Sequence, residues 1–315
     1  MILTRRNFLS TTTTVAAAAC IAPRSLFAQE PQQPEMVLKA RAGAADAKIT
    51  TQKLRGNVSV LMGSGGNIAV LPGPQGKVLI DSGISTSQKH IQEALAAISA
   101  DPIQHLINTH WHYDHTDGNL WMHADGATIL AHEKTRQRLS TPQTIELFHA
   151  TFPAEPAGAL PALLFTDEHT LRTNDTELHL QHYDPAHTDT DISVHFTDAD
   201  VLHTGDTWFN GVYPFIDYST GGRIDGMINA TKRTLETGTT STIVIPGHGP
   251  VGNKQQVAES LEMLSSIRAK VADLKKQGKG LDEVIAAKPT TAFDDKWGKG
   301  FTTPEMFTRF VYQGV

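Results

Sequence analysis

Cysteine is nearly absent from this chain of 315 residues, the single one being Cys20. It lies in a leader-like N-terminal segment, so the remainder can form no disulfide and offers no thiolate for a Cys–His mechanism. No apolar run beyond the N-terminus reaches membrane-spanning length, which excludes stable membrane insertion once the leader is removed. Basic charge is also in deficit. With 27 Lys and Arg against 33 Asp and Glu the formal charge is −6, whereas nucleic acid binding wants a basic face. What remains, 39% hydrophobic and 19% charged residues, is the composition of a globular protein, long enough for one large domain or for two.

The N-terminus reads as a bacterial export signal over residues 1–28. Thr4-Arg5-Arg6-Asn7-Phe8-Leu9-Ser10 is a twin-arginine pattern, followed by a weakly apolar stretch and a small-residue end at Leu26-Phe27-Ala28. The expected location is therefore periplasmic or secreted. Ala17-Ala18-Ala19-Cys20 departs from a lipobox because Ala17 stands where leucine is usual, so no lipid anchor is expected. Residues 29–46, rich in Gln, Pro and Ala, read as a linker or loosely docked arm, and 47–315 as a single domain.

Histidine is what the chain has in plenty, with 15 copies. Three of them, with an aspartate, crowd into His110-Trp111-His112-Tyr113-Asp114-His115 after the short apolar run 103–107. Imidazole and carboxylate are the donors that zinc and related divalent ions prefer. Without a cation such a cluster would be hard to satisfy. His187, Asp206 and His248 occur in loops of similar character, Ala186-His187-Thr188-Asp189, Thr204-Gly205-Asp206-Thr207 and Pro246-Gly247-His248-Gly249. The seven donors suffice for two metals. On an extended segment the i, i+2 spacing places His110, His112 and Asp114 on one side and His115 on another. The other ten histidines read as surface or satisfied core groups, with His203, three residues before Asp206, the one to watch.

Alternating apolar runs at 58–62, 67–71 and 77–80, separated by Gly- and Pro-rich turns, predict an antiparallel meander. Helical spacing follows over 87–99. Strands are expected at 128–131, 176–182, 192–196, 201–203 and 242–245, and helices at 133–139, 224–237 and 254–276. Residues 140–164 lack clear periodicity and read as a variable segment near the mouth of a site. The order, strands then helix, twice, predicts an α/β fold: a four-layer αββα sandwich.

The donor set resembles the metallo-β-lactamase superfamily of metallohydrolases, whose ordered motifs are matched from Asp81, ending Val78-Leu79-Ile80-Asp81, to His248. The resemblance implies that His110, His112 and His187 hold one metal, Asp114, His115 and His248 the other, and that Asp206 bridges them. It implies two divalent ions, zinc first, with iron and manganese suited to the same donors. An aspartate at the bridging position is unlike true β-lactamases and similar to the glyoxalase II, lactonase and phosphodiesterase branches.

The expected activity is that of an exported dinuclear hydrolase in which a metal-bridging hydroxide attacks a small acyl, lactone, thioester or lactam substrate. Asp114 would orient that hydroxide and receive its proton. The alternative is a mononuclear iron enzyme of the persulfide dioxygenase kind. Asp81 is a candidate to brace a ligand histidine, or else a strand-end cap. The loop at 63–67 reads as a hairpin turn or a flap. Asn210, Tyr213, Tyr218 and Arg223, in the aromatic stretch after Asp206, are candidate substrate contacts.

Overall fold

Apolar residues on both parities of the early strands signal a sheet covered on both faces. The computed structural model describes residues 34–315 and has that arrangement. The export signal at 1–28, and residues 29–33 of the expected linker, lie outside the described residues. Strands β1 (Thr50–Lys53), β2 (Ser59–Met62), β3 (Ile68–Leu71), β4 (Lys77–Ile80), β5 (Ile103–Ile107) and β6 (Thr128–His132) come first. A two-stranded hairpin, β7 (Gln143–Ile145) and β8 (Ala150–Phe152), precedes β9 (Leu163–Phe165), which closes a seven-stranded sheet in the order β1-β2-β3-β4-β5-β6-β9. The second sheet has six strands in chain order: β10 (Glu168–Thr173), β11 (Thr176–His182), β12 (Ile192–Phe196), β13 (Val201–His203), β14 (Ile243–Ile245) and β15 (Gly252–Asn253).

The period of two sorts the side chains. Val60, Ala69, Val78, Ile80, Ile107 and Leu130 point inward and meet Leu178, Leu180, Ile192, Val194, Phe196 and Ile245 of the second sheet. Their neighbours Leu61, Ile68, Val70, Leu79, Leu106 and Ile129 face out. The helices are α1 (Glu35–Ala45), α2 (Gln88–Ile98), the single turn α3 (Tyr113–Thr116), α4 (Asn119–Ala124), α5 (Glu133–Leu139), α6 (Ile224–Glu236), α7 (Lys254–Lys276), α8 (Leu281–Ala286), α9 (Asp294–Trp297) and α10 (Pro304–Gly314). Ile91 and Leu95 of α2, with Trp121 and Met122 of α4, cover the outside of the first sheet. On the second, Val244 packs with Val257 of α7 and Leu235 of α6. The expected αββα sandwich is the observed fold. No helix among the described residues is long and apolar enough to cross a membrane.

Two expectations are corrected. Residues 35–45 form a docked helix, held more firmly than the linker or loosely docked arm expected. The segment Glu35-Met36-Val37-Leu38-Lys39-Ala40-Arg41 is free of proline and made of good helix formers. Val37 is buried against Trp111 and Leu139, Arg41 pairs with Asp117, and Thr86 Oγ1 donates to the Arg41 carbonyl at 2.6 Å. The second correction concerns the histidine cluster, which is extended only as far as His112 (φ −60°, ψ 145°) and then turns into α3. Also unforeseen is the C-terminal set α8–α10, whose apolar faces join Met227, Met263, Leu264 and Ile267 of α6 and α7 in one cluster.

Candidate metal centre and active site

The donors come from strand ends that the parallel pairings bring to one edge. β4 and β5 run parallel, as do β13 and β14. Asp81 follows β4, His110–His115 follow β5, Asp206 follows β13 and His248 follows β14, while His187 sits in the loop between β11 and β12. Their side chains converge in two groups, His110, His112, His187 and Asp206 in one and Asp114, His115 and His248 in the other, with the donor atoms of each group within 4.8 Å of one another. Asp114 thus sits with His115, not with His110 and His112 as the extended reading had it. The turn of α3 rotates residues 114 and 115 away together.

Distances within the first group are 2.8 Å from His187 Nε2 to His112 Nδ1, 3.4 Å from His187 Nε2 to Asp206 Oδ2, and 3.8 Å from His110 Nε2 to Asp206 Oδ2. In the second, His248 Nε2 lies 3.3 Å from His115 Nε2 and 3.2 Å from Asp114 Oδ2. Asp206 reaches this group as well, with Oδ1 3.2 Å from His115 Nε2 and Oδ2 3.5 Å from His248 Nε2. These separations bracket the roughly 3.3 Å edge of a tetrahedron of donors at about 2.0–2.1 Å from a zinc ion. Asp206 lies between the groups.

The outer nitrogens decide which way the lone pairs face. His112 Nε2 bonds Asp217 Oδ2 at 3.1 Å, His115 Nδ1 bonds Asp81 Oδ2 at 2.7 Å, and His187 Nδ1 bonds the Phe215 carbonyl at 2.8 Å. Each acceptor takes a ring N–H. Thr109 Oγ1 gives its own proton to Asp81 Oδ2 at 2.7 Å, so it accepts from His110 Nδ1 at 3.0 Å. Four imidazoles therefore have the outer nitrogen held and the other nitrogen turned inward, the orientation a metal ligand needs. His110 Nε2 and Asp206 Oδ1 are buried with no hydrogen-bond partner, a costly state for polar atoms unless a cation completes them. The residues fit a pair of divalent ions.

Charge points the same way. Burial pushes the Asp206 carboxyl up, but His248, His115, His187 and His110 around it hold it well below its ordinary value. Burial opposes ionisation of Asp114 too, and His115 and His248 bring it down to about 2. Burial holds His110 well below its ordinary value and takes His187 down to about 4. For His248 the burial penalty is outweighed by Asp206 and Asp114, which raise it to about 10. In the bare site protons occupy places that cations would take.

Asp81 braces the cluster from below. With φ of 65° it turns its carboxylate under β5, accepting from the Thr109 N–H at 2.7 Å as well as from Thr109 Oγ1 and His115. The 63–67 loop is a brace as well, not a flap. Asn67 Nδ2 donates to the Pro246 and Gly249 carbonyls at 2.9 Å, and the Gly66 N–H bonds the Asp114 carbonyl at 3.0 Å. A Cβ on Gly66 would overlap the His115 ring, and one on Gly247 would overlap Asp206. His203 is no ligand: Nε2 bonds the Asn67 carbonyl at 3.0 Å and Nδ1 accepts from Gly205 at 3.1 Å.

Two further carboxylates went unread in the sequence. Asp217 lies 105 positions from the His112 it orients, and no local spacing marks it. Asp191 accepts from the His187 and Thr188 N–H groups at 2.7 and 2.9 Å, fixing the His187 loop. Burial raises Asp191 to about 7.

A cavity of about 610 Å³ opens on this centre, with His112, Asp114, Asp206 and His248 at its base. Phe209 stacks on His248 there, ring centroids 5.3 Å apart. Of the candidate substrate contacts, the Tyr213 ring lines the cavity, while its hydroxyl donates to Asp294 at 2.9 Å. Asn210 instead ties the His248 loop, donating from Nδ2 to Pro250 at 2.8 Å and from its backbone to His248 at 3.0 Å. Tyr218 donates to the Phe310 carbonyl at 2.7 Å, and Arg223 is an exposed residue at the start of α6. Neither lines the cavity.

The fold and the site together define an αββα sandwich that carries a two-group His/Asp metal centre. A family profile described as the Metallo-beta-lactamase superfamily matches residues 61–271, and the chain belongs to that superfamily. Among solved structures, the stereoselective inverting sec-alkylsulfatase Pisa1 from Pseudomonas sp. is similar with a TM-score of 0.64 at 17% identity, covering 91% of this chain and 54% of its own. This chain spans about half the length of that enzyme. A metallo-beta-lactamase from Pontibacter korlensis gives 0.56 at 18% identity, over 69% of this chain and 99% of its own. The DIM-1 metallo-beta-lactamase gives 0.55 at 18%, over 70% and 99%. At such identities the likeness is one of fold.

Proposed function

We propose that the protein is an exported dinuclear metallohydrolase that opens an acyl-type bond (ester, lactone, thioester or lactam) in a small substrate. One observation carries this reading: four ligand histidines have their outer nitrogens held by fixed acceptors, and a carboxylate stands between two donor groups. That is an arrangement preorganised for two cations. When bound, a pair of divalent ions supplies water activated near neutral pH and polarises the substrate oxygen.

The chain's own residues then have separable tasks. His110, His112, His187 and Asp206 would hold the buried ion, and Asp114, His115, His248 and Asp206 the ion nearer the cavity. Asp114, at the cavity base with its side chain 20% exposed, is the carboxylate that meets both water and substrate. We assign it the orienting of the attacking water and the holding of a proton at its carboxylate. Phe209 shields His248 from solvent on one face. Zinc is the ion placed first, and iron and manganese suit the same nitrogen and carboxylate donors.

A glutathione thioester fits poorly. Among the described residues that line the cavity, Lys39 is the one Lys or Arg that could meet its carboxylates. The one-iron oxidative alternative would leave the second donor group without a purpose.

The test is zinc-reconstituted protein assayed on nitrocefin, an acyl-homoserine lactone, S-lactoylglutathione and bis-p-nitrophenyl phosphate. Hydrolysis of an acyl substrate that is lost in Asp114→Ala is the expected result. Near-normal activity in that variant would refute the role given to Asp114. Oxygen-dependent turnover with one iron per chain would overturn the reading as a whole.

A further inference from the structure

The cavity above the metal centre is far more apolar than the chemistry at its base requires. Four separate stretches of chain build its wall: Met36 and Ala40 from α1, Phe148 and Phe152 from the β7–β8 hairpin, Phe215 after Asp206, and Phe301 before α10. Among the described residues that line it, Lys39 is the one Lys or Arg, and it pairs with Glu35 at 2.8 Å on the exposed rim. An anionic substrate body would find no buried partner there, and its desolvation would go uncompensated. An apolar group would displace water from aromatic walls and be favoured in proportion to its length.

Helix α1 is fixed in place as part of that wall. Arg41 Nε donates to Asp117 at 3.3 Å, Thr86 holds the Arg41 carbonyl, and Val37 is buried beside Trp111. Met36 and Ala40, at i and i+4, share one helix face, and that face looks onto the cavity. Asp117 lies two residues beyond His115, so the anchor of α1 is continuous with the turn that carries the second donor group. The small side chain of Ala40 leaves depth that a larger one would fill.

Resting on the hydrolase reading above, we infer that the substrate is an acyl compound carrying a medium-length alkyl or aryl chain. The hydrolysable carbonyl sits over Asp114, Asp206 and His248, the chain fills the aromatic cavity, and α1 sets the length that fits.

Straight-chain carboxylates from butyrate to dodecanoate, titrated into the zinc-loaded protein by calorimetry, test this without turnover. Affinity should rise by up to about fourfold per methylene and then level off. Ala40→Phe should lower the dodecanoate-to-butyrate affinity ratio at least tenfold and bring the plateau to shorter chains. Phe301→Ala, at a largely exposed position where folding is not at stake, should weaken dodecanoate more than butyrate. Affinity independent of length, or variants that leave the ratio unchanged while melting normally, would overturn the inference. Parallel assays on p-nitrophenyl acetate and decanoate separate the two readings. Length-dependent binding without hydrolysis of either ester supports the cavity inference and sinks the hydrolase reading. Hydrolysis of both esters at equal rates with flat binding does the reverse.

Discussion

The two donor groups differ in how firmly the protein holds them. In the first, His110 and His187 are fully buried and every imidazole has its outer nitrogen tied, to Thr109, Asp217 or the Phe215 carbonyl. In the second, only His115 is tied in that way; the side chains of Asp114 and His248 remain 20% and 30% exposed at the cavity base. The difference teaches a division of labour. The buried group is a preorganised holder with little freedom to rearrange, and the open group is the one that can exchange water and admit substrate.

The sharpest way to break this comparison is to remove the residue both groups share. Asp206→Ala should lose both ions and all turnover, read by elemental analysis of dialysed protein and by ester hydrolysis. Single-site variants should then separate the groups. His187→Ala should empty the buried site, whereas His248→Ala should retain one tightly held ion per chain. Equal losses in the two would erase the distinction drawn here.

Next in size are the bracing carboxylates. Asp217→Asn should weaken binding of one ion about 10–100-fold and leave the other nearly unchanged, as measured by competition with a chromophoric chelator. Asp81→Asn should weaken the other ion and also destabilise the fold by about 1–3 kcal/mol, because an amide nitrogen replaces the oxygen that accepts from both Thr109 Oγ1 and His115, as read from chemical denaturation. Gly66→Ala and Gly247→Ala sharpen the same point through shape alone: each added methyl should displace His115 or Asp206 and lower metal content without removing a ligand.

The smallest effect lies away from the site. Asp200 is opposed by partial burial, but bonds from Thr239, Thr242 and His195 bring it down to about 2. A depressed native value means the unfolded state binds the proton more readily. The stability that Asp200 contributes is therefore present above about pH 4 and lost as pH falls toward 2. Asp200→Asn should cost about 1 kcal/mol at neutral pH and progressively less as pH falls through 2, by thermal melts across that window.

Much of the site was legible because its chemistry is crowded in sequence. His110, His112 and His115 announce themselves, and His187, Asp206 and His248 sit in short polar loops after apolar runs. The sandwich was legible for a related reason, since a strand meander followed by a helix, twice over, is the chain order that layered packing produces. What escaped the sequence depends on contacts across the fold. Asp217 has meaning only once its loop is laid against His112. The rotation of Asp114 away from His110 depends on α3, a single turn too short to leave a periodic signal. Helix α1 was hidden by the proline-rich residues before it, although Ala, Lys and Arg from position 35 onward favour a helix. Thr303-Pro304-Glu305, a capping residue before an N-terminal proline, was a readable start signal for α10.

The central claim is that seven side chains hold two cations of unequal accessibility. Anomalous diffraction at the zinc edge, on crystals grown after zinc reconstitution and again after a brief chelator soak, tests it most directly. The account predicts two peaks per chain flanking Asp206, with the soak removing the one beside Asp114 and His248 first. A single peak, or two that vanish together, would contradict it.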